Sequence, residues 1–172
     1  MTTDSTATIG SSNNDTAINR ATMNDTTIKI APLSDTDYRL WLPLWQSYLT
    51  FYDTSLPLHT TENTWQNLLA DTSPIYGFGA WKDGILVGIT HVVIHPNTWN
   101  TTQCCYLEDL YVSESVRGQG VGRALIEHVY DFARQQHCNR VYWVTQETNT
   151  DARQLYDKLA SLTDMVQYRK NL

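Results

Sequence analysis

The run RGQGVGRA, Arg117 to Ala124, places three glycines at every second position from Gly118 to Gly122, with an arginine on each side. The chemistry open to such a run is anion binding. Glycine lets backbone approach a ligand closely and take positive φ where a turn needs it. The first N–H groups of a helix are unsatisfied and sit at the positive end of its dipole, so they can face a phosphate. Two phosphate motifs fail here. A GxGxxG dinucleotide fingerprint has its third glycine one residue later, and a P-loop needs Lys-Ser/Thr where this chain has Arg123-Ala124. What stays open is an anion cradle strengthened by Arg117 and Arg123, or a plain strand-to-helix turn with solvated arginines.

Other reactive side chains are scattered. Glu108 and Asp109 adjoin in YLEDLYV; on a regular strand neighbours face opposite sides, so they are not expected to act as a pair. Of the five histidines, His59, His91, His95, His128 and His137, no two have ligand spacing with a third group. His91 and His95 would lie about 13 Å apart along a strand. Structural or solvated roles suit all of them. Cys104, Cys105 and Cys138 form no CxxC pair and read as reduced, partly buried thiols. No metal site is expected.

The elements that must position these groups follow from the pattern. A chain of 172 residues suits one domain. A net charge of −6 argues against a broad nucleic-acid footprint. No stretch resembles a membrane span or a secretory leader, so a cytoplasmic setting is expected. Residues 1–27 are mostly Thr, Asn, Ser, Asp and Ala and predict a disordered tail; residues 28–172 form the expected domain. A strand at 28–33 precedes a helix from Asp35 to about Phe51 that Pro43 would weaken or kink. A second helix follows at 61–70. IYGFGAW and ILVGITHVVIH, joined by KDG, read as a hairpin. CCYLEDLYV is the strand ahead of the glycines, and an amphipathic helix runs from them to about His137. VYWVT at 141–145 reads as a strand covered on both faces. A helix at 149–159 and a last strand at 165–169 complete a mixed α/β order.

VRGQGVGRALI, preceded by YLEDLYV, resembles the acyl-CoA motif of the GCN5-related N-acetyltransferase (GNAT) family, Arg/Gln-x-x-Gly-x-Gly/Ala. The likeness continues through VYWVTQETNTDARQLYDKLA, similar to the family's next strand and its Asn-x-x-Ala-x-x-Leu-Tyr helix. It implies the GNAT fold, a mixed, mostly antiparallel sheet with two splayed parallel strands flanked by helices. It implies acetyl-CoA as co-substrate, with its pyrophosphate held by backbone at Gly118, Gln119, Gly120, Val121, Gly122 and Arg123, and Arg117 as a further cofactor-binding residue. The strand edge at Leu110, Tyr111 and Val112 would pair with the pantetheine arm. Asn149 and Arg153 fall where family members contact the cofactor, although Asn149 is equally a good helix N-cap.

YLEDLYV also resembles the LED strand of diamine and polyamine acetyltransferases, which implies Glu108 as general base, acting through water. Tyr156 matches the tyrosine that protonates the departing thiolate and touches the cofactor. One departure is visible: Ala160-Ser161 stand where members often have Gly-Phe. The resemblance puts the acceptor wall on the first two helices, making Trp45, Tyr48, Tyr52 and Asp53 candidates beside Glu108. For Trp45 and Tyr48, ordinary core packing is the favoured alternative. The expected activity is acetyl transfer to a small primary amine: a diamine, polyamine or amino-acid-like acceptor. A protein or peptide acetyltransferase and a silent acyl-CoA sensor are the alternatives. A homodimer is implied by the resemblance alone.

Overall fold

The computed structural model describes residues 27–172, so the expected tail lies outside the described residues apart from Thr27. The elements are β1 (Ile28–Pro32), α1 (Tyr38–Phe51), α2 (Leu58–Leu69), β2 (Ile75–Lys82), β3 (Ile85–His95), β4 (Gln103–Val112), α3 (Val121–Gln135), β5 (Cys138–Tyr142) and α4 (Thr150–Tyr156). Helix α1 runs through Pro43 as one element. The β2–β3 turn holds Asp83 and Gly84 at φ 51° and 77°, the left-handed conformations that a tight hairpin requires.

The five strands form one sheet in chain order. Neighbours pair antiparallel from β1 to β4, and β4 pairs parallel with β5. The parallel pairing covers only Gln103 to Tyr106 on β4. Beyond Tyr106, β4 continues to Val112 bonded to β3 alone. The two parallel strands thus part, and beyond Tyr106 no described strand pairs with the side of β4 away from β3.

Helices cover both faces, which is why β3 is buried almost throughout. On one face α3 lays Ile126, Val129 and Ala133 against Phe78, Val92, Ile94, Cys105 and Leu107. On the other, α1 and α2 bring Trp41, Trp45 and Trp65 against Leu33, Leu68, Leu86 and Ile89. Trp41 is fully buried, with its ring 4.9 Å from that of Trp65 and 5.6 Å from that of Trp45. Truncating so large a buried ring leaves a cavity. Trp41→Ala is expected to destabilise the domain by about 3–5 kcal/mol, read as a fall in the urea midpoint at unchanged slope.

Two expected strands are corrected. The strand placed at 141–145 forms at Cys138–Tyr142, because β4 and β5 part after Tyr142 and a strand without a partner cannot continue. Trp143 turns instead onto Tyr156, and Val144 is left exposed. The strand placed at 165–169 does not form: Met165, Val166 and Tyr168 are 78%, 75% and 92% exposed, and no described strand pairs with them. The helix expected at 149–159 is regular only to Tyr156, with turn bonds carrying on to Ala160.

Candidate active site

The glycine run folds as an N-terminal cradle. Gly118 and Gly120 take φ 76° and 85°, and Gly120 is the N-cap of α3. These are left-handed conformations that a side chain adopts only with strain. The first helical bond runs from the Ala124 N–H to the Gly120 carbonyl, at 3.0 Å. The N–H groups of Gly120, Val121, Gly122 and Arg123 precede it and find no acceptor among the described residues. Gly122 has a different reason: a Cβ there would meet Leu155 Cδ2 at 3.3 Å, so its absence lets α3 pack beside α4. Arg117 is partly engaged, donating to the Val112 carbonyl and pairing with Glu114, each at 3.3 Å. Arg123 pairs with Glu127, and Gln119 accepts from Lys82.

Forcing an L side chain into the Gly120 conformation costs about 1–2 kcal/mol. Gly120→Ala is therefore expected to weaken CoA binding about five- to thirtyfold, checked by calorimetric titration with CoA. The cradle's N–H groups must move to relieve the strain.

The carboxylates depart from the regular-strand expectation. His91 on β3 pairs with Asp109 while the next residue, Val92, pairs with Leu107, so Glu108 is an extra residue in β4, a β-bulge. The bulge brings Glu108 and Asp109 to one site, correcting the reading that they face apart. Asp109 Oδ2 lies 2.9 Å from His91 Nδ1, and the Asp109 carbonyl accepts from Thr90 Oγ1 at 2.8 Å. Trp41 Nε1 donates to His91 Nε2 at 2.9 Å. Glu108 opens to solvent, yet partial burial first, and the charge of Asp109 second, push its carboxyl above the usual range. Arg169 of the C-terminal stretch and, so far as it is protonated, His91 oppose that shift.

Helix α1 supplies the facing wall. Trp45, Tyr48 and Tyr52 form a ladder, with rings 5.5 and 5.1 Å apart, because they recur at helical spacing on one stripe. Trp45 is core, donating to Thr61 Oγ1 and packing on His91. Tyr48 faces Asp109: burial, then that carboxylate, raise its phenol far above normal. Asp53 stands just past the helix at φ 50°, exposed and away from the buried part of the ladder. Tyr156 ends α4, edge-on to Trp143 at 5.3 Å; burial, then Tyr52, push its phenol up to about 12. Tyr48 thus faces Glu108 and Asp109, and Tyr52 beside it faces Tyr156, so the end of α1 links the bulge of β4 to the end of α4.

Asn149 precedes α4 without capping it through its side chain, which donates to Thr145 Oγ1 at 3.1 Å; the N-cap alternative is corrected to that extent. Arg153 donates to the Glu147 carbonyl at 2.9 Å. Both hold the loop from β5 into α4. Among the described residues no cluster of His, Cys, Asp or Glu could hold a metal ion.

The residues present fit a CoA thioester: free N–H groups at the start of α3 suit a pyrophosphate, and the side of β4 at Leu110–Val112 that no described strand covers offers backbone groups for an amide-bearing arm. Comparison with known proteins decides the matter. Residues 38–160 match the Acetyltransferase (GNAT) family. The chain belongs to this family.

Among the relatives of this GNAT chain is the D-amino-acid N-acetyltransferase of Saccharomyces cerevisiae, 36% identical over 137 residues, spanning 78% of this chain and 85% of the relative. The aminoglycoside N(6')-acetyltransferase type 1 of Serratia marcescens is 32% identical over 95 residues, 52% of this chain and 65% of its own. Among solved structures, the ribosomal-protein-alanine N-acetyltransferase of Brucella melitensis biovar Abortus 2308 superposes with TM-score 0.70 at 25% identity, covering 85% of this chain and all of that one. The chain is thus an N-acetyltransferase, and acetyl-CoA is its co-substrate. No helix among the described residues is long and apolar enough to cross a membrane.

Proposed function

We propose that this GNAT domain, residues 28–172, transfers an acetyl group from acetyl-CoA to the primary amine of a small molecule, with an amino-acid-like amine, diamine or polyamine as acceptor. The observation that carries this reading is the β4 bulge, which sets two carboxylates side by side opposite the rings of Tyr48 and Tyr52. Anionic groups and aromatic faces together suit a cationic amine. The relative that acts on D-amino acids supports an amino-acid-like acceptor. So does Arg169, a cation close enough to act on Glu108 and Tyr106, which could receive an acceptor's carboxylate.

In this reading the backbone of Gly118 to Arg123 holds the pyrophosphate and Leu110 to Val112 the pantetheine. The thioester supplies an electrophilic acyl carbon and a thiol leaving group. Glu108 takes the amine's proton, through water at its open side. Tyr156, protonated throughout the neutral range, holds a proton toward the leaving sulfur. Binding both reactants in one frame provides much of the acceleration. A homodimer in the cytoplasm completes the proposal; the apolar side chains of Leu162, Met165, Val166 and Tyr168, exposed along the C-terminal stretch, are suited to cover by a second copy.

Thiol release from acetyl-CoA, followed across D- and L-amino acids, spermidine, an aminoglycoside and a histone-tail peptide, tests the reading. Release with small amines and not with peptide is expected. Peptide-dependent release alone would make this a protein acetyltransferase, and CoA binding without any turnover would make it a sensor.

A further inference from the structure

Two buried side chains, Trp41 and His91, lie behind the proposed base and have no part in the reaction as described so far; they meet the half-buried Asp109. Trp41 is fully buried, His91 is 2% exposed and the Asp109 side chain is 14% exposed. They form one chain of hydrogen bonds across three elements, from α1 through β3 to β4. An indole N–H can only donate. His91 Nε2 must therefore accept from Trp41, which leaves the ring's single proton on Nδ1. That proton is donated to Asp109 Oδ2. A second proton on His91 would have to displace the Trp41 bond, inside a cage where Trp41 and Trp45 pack at 5.9 and 5.4 Å from the imidazole.

The consequence is electrostatic. A histidine held in that tautomer fixes Asp109 in place without cancelling its charge. The bulge then sets that charge one residue from Glu108, where a regular strand would turn it to the other face. We propose that Asp109 is a positioning residue for acetyl transfer: pinned by a His91 that Trp41 locks in one tautomer, its carboxylate stands beside Glu108 and keeps Glu108 a strong enough base to take the acceptor's proton. This rests on the reading of Glu108 as base. It also explains a costly arrangement, since two adjacent carboxylates repel unless something holds them together. The other titratable groups facing the pair are Tyr48 from α1, Tyr106 from β4, Tyr142 from β5 and Arg169 from the C-terminal stretch. Of these Arg169 alone is cationic, and it lies on the exposed side.

The test has one spectroscopic and one kinetic arm, both on the full chain. Nitrogen-15 spectra, with His91 assigned by its loss in His91→Gln, should show a proton on Nδ1 and none on Nε2 over the pH range of the assay. An imidazolium, or the Nε2–H tautomer, in that range overturns the proposal. In the kinetic arm, Asp109→Asn should move the acid limb of kcat/KM for the amine to lower pH, with the KM for acetyl-CoA held. His91→Gln, whose amide can still donate to Asp109, should keep the limb near its wild-type position. An acid limb that stays put in a folded Asp109→Asn overturns the proposal, because a purely structural role does not act through pH. Carbon-13 titration of Glu108 without substrate separates this from the base assignment. If the Glu108 titration falls in Asp109→Asn while Glu108→Gln keeps its rate, the coupling stands and the base assignment is what fails.

Discussion

Tyr156→Phe is expected to lower kcat by about a hundredfold to ten-thousandfold, the range that a positioned acid contributes. The KM for acetyl-CoA should change little. The ring stays: it packs edge-on to Trp143 and belongs with Leu155 and Leu159 to the layer under α3, so the variant keeps its core and loses one hydroxyl. That hydroxyl is held protonated by its surroundings. Burial is the larger cause and Tyr52 the smaller, and together they raise it to about 12. The sign follows directly: an acid must carry its proton to act, so activity is lost only as pH rises through that value. The wild-type kcat profile should therefore show no alkaline fall from a phenol near its ordinary value of about 10. A phenol this reluctant to ionise gives up its proton only as charge develops on the departing sulfur, which restricts the transfer to the transition state. A Tyr156→Phe enzyme with kcat within a fewfold of wild type would remove Tyr156 from the chemistry.

Glu108→Gln carries the second large effect. It keeps the size of the side chain and the bulge, and removes the lone basic oxygen pair that takes the amine's proton. The expected loss in kcat is again about a hundredfold or more, and it should be accompanied by disappearance of the acid limb. In the wild type that limb lies above the usual carboxylate range, because partial burial and the charge of Asp109 both disfavour the ionised form. A base works only when deprotonated, so kcat/KM should rise with pH through the raised value. The alkaline deprotonation of the amine itself, near about 10, lies well above it and remains in the variant. Loss of rate without loss of the limb would mean that another group titrates there.

The glycine run, the strand ahead of it and the Asn–Tyr helix were legible because each carries its meaning in residue type and spacing. The cradle at Gly118 and Gly120 needs positive φ, and glycine announces that. The same pattern concealed Gly122, whose role is close packing on Leu155 and depends on where α4 returns. The pairing of Glu108 with Asp109 was not legible. A bulge is one extra residue in a ladder, fixed by the register of β3 against β4, and nothing local in YLEDLYV marks it. His91 read as structural for a similar reason: its partners, Trp41 and Asp109, are 50 and 18 residues away. The last strand failed for the opposite reason. Val166 and Tyr168 alternate as a strand would, but a strand exists only with a partner edge, and alternation does not supply one.

The most direct test of acetyl transfer to a small amine is a competition. The full chain is incubated with acetyl-CoA and an equimolar mixture of a D-amino acid, spermidine, an aminoglycoside and a histone-tail peptide, and the products are separated and weighed by mass spectrometry. Acetylation of the amino acid or the polyamine, with the peptide unmodified, is the predicted result. Acetylated peptide with every small amine unchanged would contradict it.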